Sequence, residues 1–116
     1  MTARFDELIH PSTRLSIVAL LASADWIEFS FIRDRLDLSD SALSKQLATL
    51  EAAGYVRLER PATGRHRRVT ASLTTAGRTA FDGHVAALEA VLRTAHISVT
   101  EPIRAAPGPV GDGAQP

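Results

Sequence analysis

With 116 residues, 45% of them apolar and 22% charged, the chain has material for one modest core and the composition of a soluble globular domain. It holds no cysteine, which excludes disulfides, thiolate zinc sites and cysteine nucleophiles, and no apolar run approaches the roughly 18 residues that span a bilayer. Thirteen basic and 13 acidic residues cancel, so a long basic arm is excluded, and with no signal peptide visible a cytoplasmic protein without membrane association is expected.

Phe5, Leu8 and Ile9 recur at helical spacing and predict a short leading helix over 4–10. His10-Pro11 interrupts it, because the residue before a proline is pushed out of the helical region. Pro11 suits the first turn of the next helix, about 11–22. Its broad stripe of Leu15, Ile17, Val18, Leu20 and Leu21 marks a buried central helix. Trp26 to Phe29 is β-prone but too short to stand alone, and could add to the edge of a sheet formed elsewhere. Phe29, Ile32 and Leu36 then share one face of a short helix ending near Asp37.

Leu36 to Val56 carries the clearest signals. Ser39 is a good N-cap, Leu38 and Leu43 have the spacing of a hydrophobic staple, and Asp40 sits at the positive end of the helix dipole. Gly54 suits the left-handed position after the helix, with Tyr55 closing onto Leu50. Between these ends lies a helix over 40–53. Leu43, Leu47 and Leu50 occupy one narrow arc and must face the core. Ser41, Lys45, Ala48 and Ala52 point the opposite way, flanked by Ser44, Thr49, Ala42 and Gln46. This outer side is small, hydroxyl-rich and poor in carboxylates, whereas a solvated face mixes long charges of both signs. Small side chains let a backbone approach a grooved partner closely.

After Gly54 the period changes to two. Val56 and Leu58 alternate with Arg57 and Glu59, and Val69, Ala71 and Leu73 with Thr70 and Ser72. Pro61-Ala62-Thr63-Gly64 supplies turn chemistry, so the two runs should pair as a hairpin. From Arg57 to Arg68, five arginines (57, 60, 65, 67 and 68) face the single Glu59, a local charge of +4 that leaves −4 elsewhere. A near-neutral chain with one basic patch can still bind a polyanion there. Twelve of the 13 basic residues are arginine, a bias that GC-rich coding would also produce.

Thr74 or Thr75 can cap a last helix, about 75–95. Phe81, Val85, Leu88 and Leu92 step by four, three and four, a seam for another helix, either the domain's own first helix or the same helix of a second chain. Gly77 and Gly83 each lower its intrinsic stability by up to ~1 kcal/mol relative to alanine. Residues 1–96 thus read as one domain. Four of the six prolines and three of the seven glycines fall in 101–116, so 97–116 should be a disordered tail.

The order of elements resembles the winged helix-turn-helix of MarR/ArsR-like transcription regulators, and among them the small single-domain winged-helix DNA-binding proteins. The stretches IHPSTRLSIVALL, WIEFSFIRDRLDLSDSALSKQLATLEAAGYV, TGRHRRVTASLT and TTAG carry the resemblance over about residues 8–80. It implies a mainly α fold with a small β-hairpin and a long C-terminal helix. Asp37 departs from the pattern, since related turns often hold glycine, and turn stability rather than function should feel it. The resemblance also implies a homodimeric, sequence-specific regulator on double-stranded DNA. Its recognition helix 40–53 would enter the major groove with Ser39, Ser41, Ser44, Lys45 and Thr49 on bases or phosphates. The wing over 61–68, with Arg65, His66, Arg67 and Arg68, would reach a flanking phosphate or a narrow minor groove.

Other classes fit less well. There is no nucleophile–base set, phosphate loop or carboxylate cluster to make an enzyme, and no cofactor is implied. Asp82 and His84, followed by His96 and Glu101, approximate the zinc site on the last helix of ArsR-like metal sensors. The second histidine comes one residue late, and one residue turns a helical side chain by ~100°. The four histidines, at 10, 66, 84 and 96, are dispersed and read as polar surface positions. A winged-helix protein-interaction module suits the neutral charge, but the wing arginines and the lack of exposed aromatic anchors count against it. No effector ligand can be named.

Overall fold

A computed structural model describes residues 3–61 and 68–95. The wing tip and the tail from residue 96, including Arg65, His66, Arg67, His96 and Glu101, lie outside the described residues.

The leading helix expected over 4–10 is instead a single turn at residues 7–9. Asp6 Oδ1 accepts the amides of Leu8 (2.8 Å) and Ile9 (3.2 Å), the local capture by which aspartate competes with helix. Ile9 is nonetheless fully buried. The first helix, α1 (Ser12–Ala22), follows, with Pro11 as its N-cap, one position earlier than expected. Ile17, Val18 and Leu21 are buried, and α1 packs against α3, α4 and β3, the central place that its broad stripe required.

Strand β1 (Ile27–Glu28) leads directly into α2 (Phe29–Arg35). Asp37 takes φ 56°, and the amides of Asp37 and Leu38 donate back to the carbonyls of Asp34 (3.3 Å) and Arg33 (2.9 Å). This is a Schellman ending with aspartate where glycine is usual. It delivers the chain to Ser39, whose hydroxyl accepts from Ala42 N–H at 3.1 Å and caps α3 (Asp40–Ala52). The far end of α3 repeats the device: Gly54 has φ 81°, its amide donates to the Glu51 carbonyl, and that of Tyr55 donates to Leu50 (2.9 and 3.0 Å).

The chain then forms β2 (Val56–Glu59) and, beyond the wing, β3 (Thr70–Leu73). They pair antiparallel with Val56 opposite Leu73 and Leu58 opposite Ala71. β1 adds to the other edge of β3, Ile27 opposite Ala71, so the sheet order is β1-β3-β2. Val56 and Ala71 are buried while Arg57 and Glu59 are exposed, as the period of two requires.

Thr74 Oγ1 accepts from Gly77 N–H (2.9 Å) and donates to the Gly54 carbonyl (2.6 Å), starting α4 (Thr75–Thr94) against the end of α3. The buried positions of α4 are Gly77, Gly83 and His84. A Cβ at Gly77 would stand 2.1 Å from the Tyr55 carbonyl oxygen. Here glycine permits close approach of helix and turn, a role beyond the helix weakening read from its propensity. Phe81 packs against the domain's own core, whereas Val85, Leu88 and Leu92 are half-buried outside it and Val91 is 61% exposed.

Candidate nucleic-acid interface

The helix-turn-helix is α2, the Asp37 turn and α3. Leu43, Leu47 and Leu50 are fully buried, which fixes the rotation of α3 and leaves Ser41, Ser44, Lys45, Ala48 and Ala52 exposed. Ser39 is exposed as well; its oxygen is engaged as the cap and lies 3.4 Å from Ser41 Oγ, a pair in which either hydroxyl can donate. Thr49 is half-buried and donates its hydroxyl proton to the Lys45 carbonyl at 3.1 Å, leaving only acceptor capacity for a partner. Lys45 thus supplies the positive charge of this side, among serines and alanines.

Three contacts hold α3, and periodicity within one element could register none of them. Arg33 on α2 donates from Nη1 to Asp40 Oδ1 and from Nε to Asp34 Oδ1, both at 2.9 Å. The two hydrogen bonds hold the guanidinium firmly protonated, and the bond to Arg33 holds the Asp34 carboxyl below its ordinary value of 3.8. Asp40 is therefore exposed and shares the Arg33 charge with Asp34. Midway along α3, Arg14 of α1 donates from Nη1 to Gln46 Oε1 (2.9 Å) and from Nε to the Leu8 carbonyl (2.6 Å). At the far end Tyr55 donates its phenolic proton to Asp6 Oδ2 at 2.6 Å, which pushes the phenol above its usual range.

At the base of the wing Arg68 is exposed and lies 3.4 Å from Glu28 Oε2, an outer pair tying the segment ahead of β3 to β1. Exposed pairs of this kind contribute little to stability, so the guanidinium is free to exchange Glu28 for a phosphate. Arg57 and Arg60 are exposed as well.

The histidines are not all dispersed surface residues. His84 is fully buried, and its ring centroid lies 5.4 Å from that of His10. Folding brings the two together because Asp6 N–H donates to His84 Nδ1 at 2.9 Å, a contact across 78 positions that no local pattern encodes. An Nδ1 that accepts leaves the proton on Nε2, so neither ring nitrogen offers a free lone pair to an ion. Among the described residues, no three histidine, aspartate or glutamate side chains are grouped to hold a metal. Nor, among them, is any helix long and apolar enough to cross a membrane.

Comparison with known proteins agrees with this architecture. A family model described as a winged helix DNA-binding domain matches residues 13–92. An uncharacterized protein of Methanocaldococcus jannaschii is 27% identical over 79 residues, covering 68% of this chain and 86% of its own. The fold is similar to that of a transcriptional regulator homologue from Pyrococcus horikoshii, with a TM-score of 0.74 and 24% identity over 79% of this chain and 91% of that one. It is also similar to a variant of Lactococcus lactis ZitR solved in complex with DNA, with a TM-score of 0.57 and 25% identity over 81% of this chain and 64% of ZitR. ZitR is a zinc-responsive MarR family member. The family model thus describes a DNA-binding domain, and the solved structures that share its fold include transcriptional regulators. The chain belongs to the winged-helix DNA-binding domain family, with a MarR-like fold.

Proposed function

We propose that the chain is a sequence-specific, homodimeric regulator of transcription, with α3 lying in the major groove of its operator. The observation that carries this reading is the division of α3: three leucines are buried, and the opposite side exposes Ser41, Ser44, Lys45, Ala48 and Ala52. A helix of 13 residues is about 20 Å long, and a groove about 12 Å wide admits one such element. Lys45 would donate to guanine O6 or N7, while Ser39, Ser41, Ser44 and Thr49 would serve base edges or phosphate oxygens. Arg65, His66, Arg67 and Arg68 of the wing would meet backbone or minor groove. The half-buried Val85, Leu88 and Leu92, continuing the line of Phe81, support a seam along α4 for a second copy.

Two-fold symmetry then requires an inverted repeat whose half-sites lie about one helical turn, or a multiple of it, apart. Selecting bound fragments from random duplex DNA tests this directly. Recovery of an inverted repeat protected on both halves is the expected result. A single half-site bound at full affinity would overturn the dimer, and no enrichment at all would favour a winged helix that docks on protein.

A further inference from the structure

The residues ahead of α1 are tied down by contacts that the DNA-binding reading does not use. Arg4 N–H donates to the Gly83 carbonyl (2.9 Å), and Asp6 N–H donates to His84 Nδ1 (2.9 Å). The Phe5 ring packs against both histidines, with centroids 4.8 Å from His84 and 4.7 Å from His10. Asp6 then turns its carboxylate the other way, collecting the Leu8 and Ile9 amides on Oδ1 and the Tyr55 phenol on Oδ2. One aspartate therefore links α4 to the residue that ends α3.

His84 is an expensive choice for a filler. It is fully buried, and its Nε2 has no hydrogen-bond partner among the described residues. A leucine there would remove the unpaired Nε2 but would leave the Asp6 amide without its acceptor. What the imidazole contributes is the Nδ1 acceptor, which exists only while Nδ1 is unprotonated. A proton on it would set two N–H donors face to face. Burial first, and His10 second, push His84 below its ordinary 6.5, with Asp6 opposing them.

Among the titratable groups on the elements around the ring, His10 and Asp6 are the two whose charge acts on it. The N-terminal segment brings Arg4, Asp6 and His10, and the end of α3 brings Tyr55, whose proton is committed to Asp6. α1 offers only Arg14, whose donors go to Leu8 and Gln46. On α4 itself Asp82 is the nearest in sequence, and it is half-buried.

We propose that residues 4–10 are a strap released by protonation of His84: when Nδ1 takes a proton, Asp6 leaves α4 and the tether to Tyr55 at the end of α3 loosens with it. The strap holds fully above the ordinary histidine value of 6.5 and is lost as pH falls from there through the lower folded value. Below that midpoint the acceptor form declines up to about tenfold per pH unit. None of this depends on what α3 binds.

Amide exchange of the full chain, followed by NMR from about pH 8 to about pH 5 and corrected for intrinsic rates, tests it. Protection at Asp6, Leu8 and Ile9 should fall across that range while Ile17 and Val18 in α1 keep theirs. His84→Asn leaves an acceptor near the Nδ1 position without a titrating ring, and should make protection flat. Flat protection in the natural chain, or an unchanged fall in His84→Asn, would overturn the strap. Should the asparagine variant not fold, the natural chain still decides: the His84 ring and the Asp6 amide must shift with one midpoint below 6.5. Separate midpoints, or an Asp6 shift that follows His10 instead, would overturn it equally.

Discussion

Arg33 reaches across the helix-turn-helix turn to Asp40, its Nη1 2.9 Å from Oδ1, and so covers the one carboxylate in the first turn of α3. The same guanidinium holds Asp34. Two carboxylates beside α3 would repel phosphates, and Arg33 holds both while its single charge offsets one of the two. Arg33→Ala should therefore weaken specific and random duplexes alike, severalfold, with little change in unfolding midpoint because the pair is exposed. Asp40→Asn in the Arg33→Ala background should recover part of the loss, a coupling that fluorescence anisotropy of labelled duplexes would read as a double-mutant cycle. Unchanged affinity in Arg33→Ala would mean that these carboxylates do not face the DNA.

Gly77 and Gly54 are required for different reasons, and alanine separates them. At Gly77 a Cβ would stand 2.1 Å from backbone oxygen, so α4 or the Tyr55 turn must move. Overpacking of this kind costs about 1–3 kcal/mol and should shift the Thr74–Gly54 contact with it. At Gly54 the space is open but φ is 81°, and the conformational penalty is roughly 1 kcal/mol. Urea unfolding measures both; equal losses at the two sites would contradict the close approach at Gly77.

Asp37 occupies the left-handed position with φ 56°. Asp37→Gly removes the strain but loosens the unfolded chain, so it should be neutral or stabilising by up to about 1 kcal/mol. A β-branched residue tolerates this conformation worst, and Asp37→Val should destabilise by at least ~1 kcal/mol. The difference between the two variants in denaturant midpoint is the measurement, and a valine variant as stable as the natural chain would show that the turn had changed shape.

Leu88 discriminates between the two partners that the α4 seam could have. Phe81 already packs on the domain's core, whereas Leu88 lies outside it. Leu88→Asp should therefore leave helical circular dichroism intact while converting a dimer to monomer in sedimentation velocity. A variant that unfolds instead would place Leu88 in the intrachain core.

Helix α3 was legible because both of its ends and its buried stripe are local patterns. Ser39, Gly54 and the leucines at 43, 47 and 50 each act within one or two turns, and each stands where spacing put it. The hairpin was equally local, its period of two surviving as the burial of Val56 and Ala71. What spacing could not reveal depends on pairs far apart in the chain. Gly77 is glycine because of Tyr55, and His84 is buried because Asp6 comes to it. The leading helix failed for a local reason: the Asp6 side chain outcompeted the helical carbonyls for two amides. On the candidate site, sequence found the exposed serines and Lys45 but not Arg33, since its partner Asp40 lies on a different helix.

Lys45 and the wing arginines should fail in distinguishable ways if α3 reads bases and the wing holds phosphate. Lys45 projects from the exposed middle of α3 with only small side chains around it, so it meets whatever the groove presents. Lys45→Ala should then change the ranking of sequences, by about 1–3 kcal/mol at one base pair, more than it lowers affinity for random DNA. Arg65→Ala with Arg67→Ala should instead lower all affinities together and flatten the log–log salt dependence by about 0.9 for each phosphate no longer neutralised. Salt titrations on one selected and one random duplex measure both effects. Equal losses on the two duplexes for Lys45→Ala would reassign that lysine to the backbone, and an unmoved slope for the arginine pair would take the wing off the DNA.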